Sequence, residues 1–170
     1  ADIIIIDGKL YSNKAPGNAL VGVVPFYVFW KLILPIFSME FFIKEHLAAY
    51  LTTVFTTSLF TALIGVLLYC VALRLTLDPL TALMTSLGYG LATIAFPFAT
   101  MFFSHQTSAF LCFLAFFILF NASLNPGISY RIPLLFIAGF CAGWSIACEY
   151  QTILIGTLLG IYSLVVIKPR

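Results

Sequence analysis

Charge is what this sequence has least of. Of its 170 residues 8% are Asp, Glu, Lys or Arg, against about 25% in a soluble globular domain, while 62% are hydrophobic. A water-soluble monomer is thereby excluded. Eight Lys and Arg against six Asp and Glu leave a net charge of +2, too small and too scattered for a polyanion-binding face, so nucleic acid is excluded as a partner. Cysteines are few and stand singly. Cys70, Cys112, Cys141 and Cys148 lie in apolar runs without CxxC or Cys/His spacing, and read as small buried side chains rather than metal ligands or disulfide partners. The charged start, short apolar middle and small-residue cleavage site of a secretion signal are missing, as are the P-loop spacing and any repeat at a fixed period.

The gaps between charges say more than their sum. No charged residue stands between Glu45 and Arg74, Asp78 and Arg131, Arg131 and Glu149, or Glu149 and Lys168. A bilayer core about 30 Å thick takes roughly 20 apolar residues in a helix, so these gaps hold one, two, one and one spans. The expected fold is an all-α polytopic transmembrane bundle with five spans, at about 47–73, 79–103, 108–124, 132–148 and 152–167. Residues 18–37 are apolar but carry Pro25, Lys31 and Pro35. A Lys at mid-span costs about 2.5 to 3.5 kcal/mol on insertion scales, so this segment either crosses or lies in the interface or re-enters. Residues 1–17 form the one polar stretch, with turn signals at Gly8, Asn13 and Pro16-Gly17. The domains are thus a loop remnant over 1–17 and a membrane domain over 18–170. A start at Ala1 and a stop at Lys168-Pro169-Arg170 beside a span point to a piece of a longer protein.

Several features within the spans read as packing. Thr53, Thr57 and Thr61 share a helix face and either bond back to the carbonyl four residues earlier or cross to a neighbouring helix. Gly139-xxx-Gly143 and Gly156-xxx-Gly160 read as sites of close helix approach. Asn125-Pro126-Gly127 marks a turn. The sequon Asn121-Ala-Ser123 falls at a cytoplasmic span end and is discounted. With five spans, Arg74, Arg131, Lys168 and Arg170 share one face, which the positive-inside rule makes cytoplasmic. His105 and Glu149 then face the other side.

Three places carry candidate chemistry. In the run from Asp7 to Gly17, a Lys ammonium beside turn amides suits a phosphate at the membrane surface, although a solvated loop with snorkelling lysines has the same spacing. His105 is isolated in the Ser104-His105-Gln106-Thr107 break between apolar helices and suits proton transfer, metal binding or phosphate pairing, or a plain interfacial position. Glu149 is the one acid of the last 92 residues. It is either a hairpin tip or a functional carboxylate near hydrocarbon needing a partner such as His105, Lys14 or a metal. Trp144 and Tyr150 fit an aromatic belt.

The order of these features resembles the GT-C class of membrane glycosyltransferases, which includes dolichyl-phosphate-mannose mannosyltransferases and bacterial aminoarabinose transferases. The likeness rests on Asp7 to Gly17 with Pro25-Phe26-Tyr27, Tyr89-Gly90-Leu91-Ala92-Thr93 to Pro97, Phe103-Ser104-His105, and Glu149-Tyr150. It implies that Lys14 and Pro16 match a lysine-proline segment beside the active site, and that His105 takes the second polar position, where several relatives carry an acid. The class's acidic motif near the first span is not visible here, Asp2 and Asp7 being weak substitutes.

The resemblance also implies an extracytoplasmic site for a polyprenyl-phosphate sugar, an interfacial segment 18–37, and a bacterial cytoplasmic membrane as location. The expected activity is transfer of the sugar to an extracytoplasmic acceptor by an inverting enzyme. His105 and Glu149 are the catalytic candidates, and Lys14, Tyr11, Ser12 and Gln106 the substrate-binding ones. The base is expected upstream, so residues 1–170 alone are expected to be inactive. Membrane lipids and the lipid-phosphate sugar are the partners; metal dependence and oligomeric state stay open. The rivals are a transporter or channel subunit, with Pro97 and the glycines as broken-helix features, and a non-catalytic scaffold presenting Phe113, Phe116, Phe117 and Phe120 to lipid.

Overall fold

The structure, a computed structural model, describes residues 3–38, 40–124 and 131–167. Asp2, the turn expected at Asn125-Pro126-Gly127 and the basic end Lys168-Pro169-Arg170 lie outside the described residues, and of Arg131 only the backbone is described. Among the described residues the chain is mostly helical from Gly17 onward, in keeping with its composition. Its polar start is not a loop, however. Ile3–Ile6 (β1) and Lys9–Ser12 (β2) pair antiparallel, Ile3 opposite Ser12 and Ile6 opposite Lys9. Asp7 and Gly8 both take positive φ, 50° and 76°, the backbone of a two-residue hairpin turn for which Asp-Gly is a favoured pair. β-Branched isoleucines on one arm complete a hairpin signal, and this short hairpin precedes a fold that is all-α as expected.

Among the described residues eight α-helices follow: α1 (Gly17–Tyr27), α2 (Phe41–Thr53), α3 (Leu59–Thr76), α4 (Pro79–Ala92), α5 (Ala95–Ala99), α6 (Ser104–Leu124), α7 (Arg131–Cys148) and α8 (Ile153–Ile167). A π turn over Val28–Ile33 and a 3₁₀ turn over Leu34–Ile36 extend α1. A second π turn, Val54–Ser58, joins α2 to α3 without a break. Three of the resulting helices are long and apolar enough to cross a membrane: Gly17–Ile36, Phe41–Thr76 and Ser104–Leu124. Segment 18–37, expected to be interfacial or re-entrant, is therefore a helix of 20 residues with the length of a span. Its prolines widen or tighten single turns without stopping it.

The stretch expected to span at 79–103 is two helices. Thr93 is extended (φ −126°, ψ 175°). Its hydroxyl donates to the Tyr89 carbonyl at 2.7 Å and accepts the Ala95 N–H at 3.1 Å, closing α4 and capping α5. Pro97 then falls in the first turn of α5, where its missing N–H costs little. At the other end, Leu77 takes the left-handed conformation and gives its N–H to Leu73 at 2.9 Å. Asp78 caps α4 by accepting the N–H groups of Leu80 and Thr81, with Pro79 at the first helical position.

Contact pairs fix the helix directions. Phe60 stacks on Phe110 and Arg74 bonds Asn121, so α3 and α6 run parallel. Ser86 donates to the Gly65 carbonyl at 2.7 Å, tying α4 to α3, and Cys112 on α6 meets Ser145 on α7 at 3.2 Å. The core of this bundle is Ala115, Leu119, Ala138, Cys141 and Leu159. Helix α1 leaves it. Asn18 bonds Thr107, but Gly22 lies against Phe102, so α1 moves back past the start of α6 as it advances. Trp30 then meets Phe41 edge-on, with the Lys44 ammonium 4.6 Å above the indole. Helices α1 and α2 thus form an antiparallel pair with its own small core of Phe29, Leu34 and Ala48, reaching beyond the end of the bundle where α6 begins.

Of the three threonines expected to bond back or cross, Thr53 and Thr61 donate to carbonyls four residues earlier, and among the described residues the Thr57 hydroxyl has no partner. The crossing bond is made by Ser58 instead, to Ala99 at 2.7 Å. Of the glycines in the two pairs only Gly156 marks a close approach, a Cβ there falling 3.3 Å from the Ile146 side chain of α7. A Cβ on Gly139, Gly143 or Gly160 meets nothing within 4 Å, and with Gly156 they line a groove of about 310 Å³ between α7 and α8. Phe116 packs on Phe113, Phe120 and Tyr162.

Candidate functional site

One end of the bundle gathers most of the buried polarity. The first turn of α6 supplies Ser104, His105, Gln106 and Thr107. Glu149 arrives from α7 as a single extended residue (φ −148°, ψ 116°) before the 3₁₀ turn Tyr150–Thr152. Its Oε1 accepts the Ser104 hydroxyl at 2.9 Å and pairs with Nδ1 of His105. Of the partners that the sequence offered for Glu149, His105 is thus the one it meets.

The pairing sets the proton arrangement of the imidazole. A carboxylate only accepts, so Nδ1 carries hydrogen and the lone pair of the neutral ring stands on Nε2. The ring leans edge-on against Phe98 at 4.9 Å and beside Phe103 at 6.1 Å, which hold its plane. The His105 side chain is 54% exposed and that of Glu149 21%, so the carboxylate is sheltered while the imidazole keeps an open face.

The loop that precedes α1 enters at the same place. Gly17 lies against the backbone of Ala147 and Cys148, so closely that a Cβ there would fall 2.5 Å from the Ala147 carbonyl carbon. Asn18 is buried and accepts the Thr107 hydroxyl at 2.7 Å. Lys14 is three residues before Gly17, and an extended chain of that length reaches about 10 Å. Lys14 therefore stands within about 10 Å of Gly17, and its backbone N–H donates to Ser12 Oγ at 3.2 Å. Tyr11 and Ser12 stay exposed in β2. Gln106 is not presented to solvent. It is buried and accepts the Tyr89 hydroxyl at 2.9 Å, linking α6 to α4.

Sequence reasoning passed over Asn18, and it named Tyr89 only within the run Tyr89 to Pro97, without a role of its own. A polar residue at the first turn of an apolar run was the available signal for Asn18. Next to the site, α1, α2 and Phe102 enclose an open apolar cleft of about 300 Å³, lined by Ala19, Gly22, Val23, Phe26 and Ala49. Among the described residues no three His, Cys, Asp or Glu side chains come together in a way that would hold a metal ion. No protein-family model, curated protein or solved structure matches this chain.

Proposed function

We propose that this chain is part of a membrane-embedded glycosyltransferase that moves a sugar from a polyprenyl-phosphate carrier to an acceptor hydroxyl on the extracytoplasmic face. The observation that carries the reading is the carboxylate–imidazole pair, Glu149 on Nδ1 of a half-exposed His105, at the bundle end where the Lys14 segment enters. Such a pair is the arrangement of a general base oriented by an acid, and in this reading it takes the role of the base that the sequence led us to expect upstream. Nε2 takes the proton of the acceptor hydroxyl as its oxygen attacks the anomeric carbon. The bond from that carbon to the phosphate oxygen breaks, and the electron pair leaves with the lipid phosphate, beside the Lys14 ammonium. The apolar cleft between α1 and α2 offers the isoprenoid chain a place next to this phosphate.

In this reading α3, α4, α6, α7 and α8 cross the bilayer. The continuous helix Phe41–Thr76 has 36 residues, about 54 Å at 1.5 Å per residue, well beyond a core of about 30 Å. Its α2 half, with α1, then lies in the outer interface, where the cation of Lys44 over Trp30 and the exposed Lys31 meet headgroups. Arg74 stands at the opposite, cytoplasmic end. A transporter is less well served, because Lys14 and His105 enter from one end.

The test is transfer of radiolabelled sugar from a polyprenyl-phosphate donor in membranes containing the full-length protein. His105→Ala and Glu149→Gln are expected to lower turnover by about 10²- to 10⁴-fold, and Lys14→Ala to raise the KM for the donor. Wild-type turnover in both His105→Ala and Glu149→Gln would refute the proposal.

A further inference from the structure

The Glu149 carboxylate depends on a backbone that is held in an unusual way. Glu149 is the single extended residue between α7 and the following 3₁₀ turn. Its N–H donates to the Ser145 carbonyl at 2.8 Å. Its own carbonyl accepts two bonds from one residue, the Thr152 N–H at 3.1 Å and the Thr152 hydroxyl at 2.7 Å. The Thr152 oxygen in turn lies 3.3 Å from the Ser145 hydroxyl, which donates to the Ala142 carbonyl at 2.7 Å and receives the Cys112 thiol at 3.2 Å. Ser145, Cys112 and Thr152 are all buried.

These contacts close a ring through the protein. From His105 the path runs two turns along α6 to Cys112, across to Ser145 on α7, on to Thr152 at the head of α8, and through the Glu149 backbone to its carboxylate on His105. Helix α6 fixes the imidazole, while the Thr152 hydroxyl and N–H on the Glu149 carbonyl and the Ser145 carbonyl on the Glu149 N–H fix the one residue whose φ and ψ aim the carboxylate at it. As the N-cap of the 3₁₀ turn, Glu149 accepts on its carbonyl the first bond of that turn, from the Thr152 N–H, and the Thr152 hydroxyl adds a second bond that the turn alone would not give.

We propose that Thr152, backed by Ser145, is a positioning residue that holds the Glu149 carboxylate on Nδ1 of His105 and so selects the proton arrangement of the ring. The inference rests on the reading of His105 and Glu149 as an acid–base pair, and it adds the residues that keep that pair assembled. Thr152→Val keeps the shape, the buried methyl and the backbone N–H bond and removes only the hydroxyl. Thr152→Ser restores it.

The experiment has two readouts on the full-length protein in lipid. The first is solid-state NMR dephasing between ¹⁵N-labelled histidine and ¹³C-carboxyl-labelled glutamate, which reports the His105–Glu149 contact whatever the activity. The second is sugar transfer with kcat and KM separated. Thr152→Val is expected to lose the dephasing and about 10- to 100-fold of kcat, with KM little changed, and Thr152→Ser to recover both. Ser145→Ala is expected to act in the same direction and decides the matter should Thr152→Val fail to fold. Full dephasing and wild-type kcat in a folded Thr152→Val or Ser145→Ala protein would overturn the inference while leaving the acid–base reading intact. Wild-type transfer by Glu149→Gln would instead refute the acid–base reading, and the dephasing would still decide whether Thr152 positions the carboxylate.

Discussion

Gly17 offers the sharpest test of how the site is assembled. A Cβ at this position would lie 2.5 Å from the Ala147 carbonyl carbon, 2.6 Å from its oxygen and 2.6 Å from the Cys148 nitrogen. Non-bonded carbon contacts need about 3.5 to 4.0 Å, and all three neighbours are backbone, so Gly17→Ala must drive α1 off α7 by about 1 Å. Overpacking of this kind costs about 1 to 3 kcal/mol. The shift also pulls Asn18 from Thr107, a buried bond of 2.7 Å, for about 1 kcal/mol more. The better helix propensity of alanine returns up to about 1 kcal/mol, leaving a net loss of about 1 to 3 kcal/mol. Gly139→Ala and Gly143→Ala supply the control. Nothing lies within 4 Å of a Cβ at either position, so only the propensity term acts and stability should rise by up to about 1 kcal/mol. Equilibrium unfolding in mixed micelles, followed by circular dichroism, compares the three variants. Opposite signs are expected. Stability in Gly17→Ala equal to wild type, or a like loss in all three, would refute the close approach of α1 to the end of α7.

Two further outcomes test the hydroxyls and the α4 cap. Thr57 is fully buried and its hydroxyl has no partner. Thr57→Val should therefore be neutral or stabilising by about 1 to 3 kcal/mol, whereas Thr107→Val should be destabilising because it strands Asn18; equal losses in the two unfolding curves would show that the Thr57 hydroxyl is bonded. The Thr81 hydroxyl, and then the N–H groups of Thr81 and Leu80, hold the Asp78 carboxyl below its ordinary value of 3.8. A carboxyl whose folded value is depressed contributes stability above its unfolded value and loses it as pH falls through the folded one. Amide exchange at Leu80 and Thr81 should thus speed up as pH falls from about 5 to about 2, after correction for intrinsic rates, and Asp78→Asn should abolish that pH dependence. Protection that holds to the acid limit would contradict the cap.

The helical course of this chain was readable because apolar stretches between charges have few alternatives. Helices α6, α7 and α8 fall where the stretches 108–124, 132–148 and 152–167 put them. What escaped was decided by single residues acting on the backbone. Thr93 ends α4 because its hydroxyl bonds back to Tyr89 and forward to Ala95, a choice that depends on an extended conformation no hydropathy pattern records. The charges of Glu40 to His46 hid the true start of the helix that runs from Phe41 to Thr76. Asp7-Gly8 carried a hairpin signal, but the apolar bulk that follows drew the reading toward a loop before a span.

The site was half visible for a different reason. Isolation in apolar sequence singled out His105 and Glu149, and the span count put them on one side, but neither says that the two side chains meet; that follows from the Glu149 carboxylate on Ser104 and His105. The same geometry bears on whether Glu149 is merely a cap for α6, whose N-terminus favours a negative charge. A capping carboxylate accepts the free N–H groups of the first turn, as Asp78 does for α4. Among the described residues, the hydrogen-bond and ion-pair partners of the Glu149 carboxylate are the Ser104 hydroxyl and the His105 imidazole. It is therefore turned toward a side chain that can move a proton and away from the amides a cap would serve, and the Thr152 bonds to its backbone hold it in that direction.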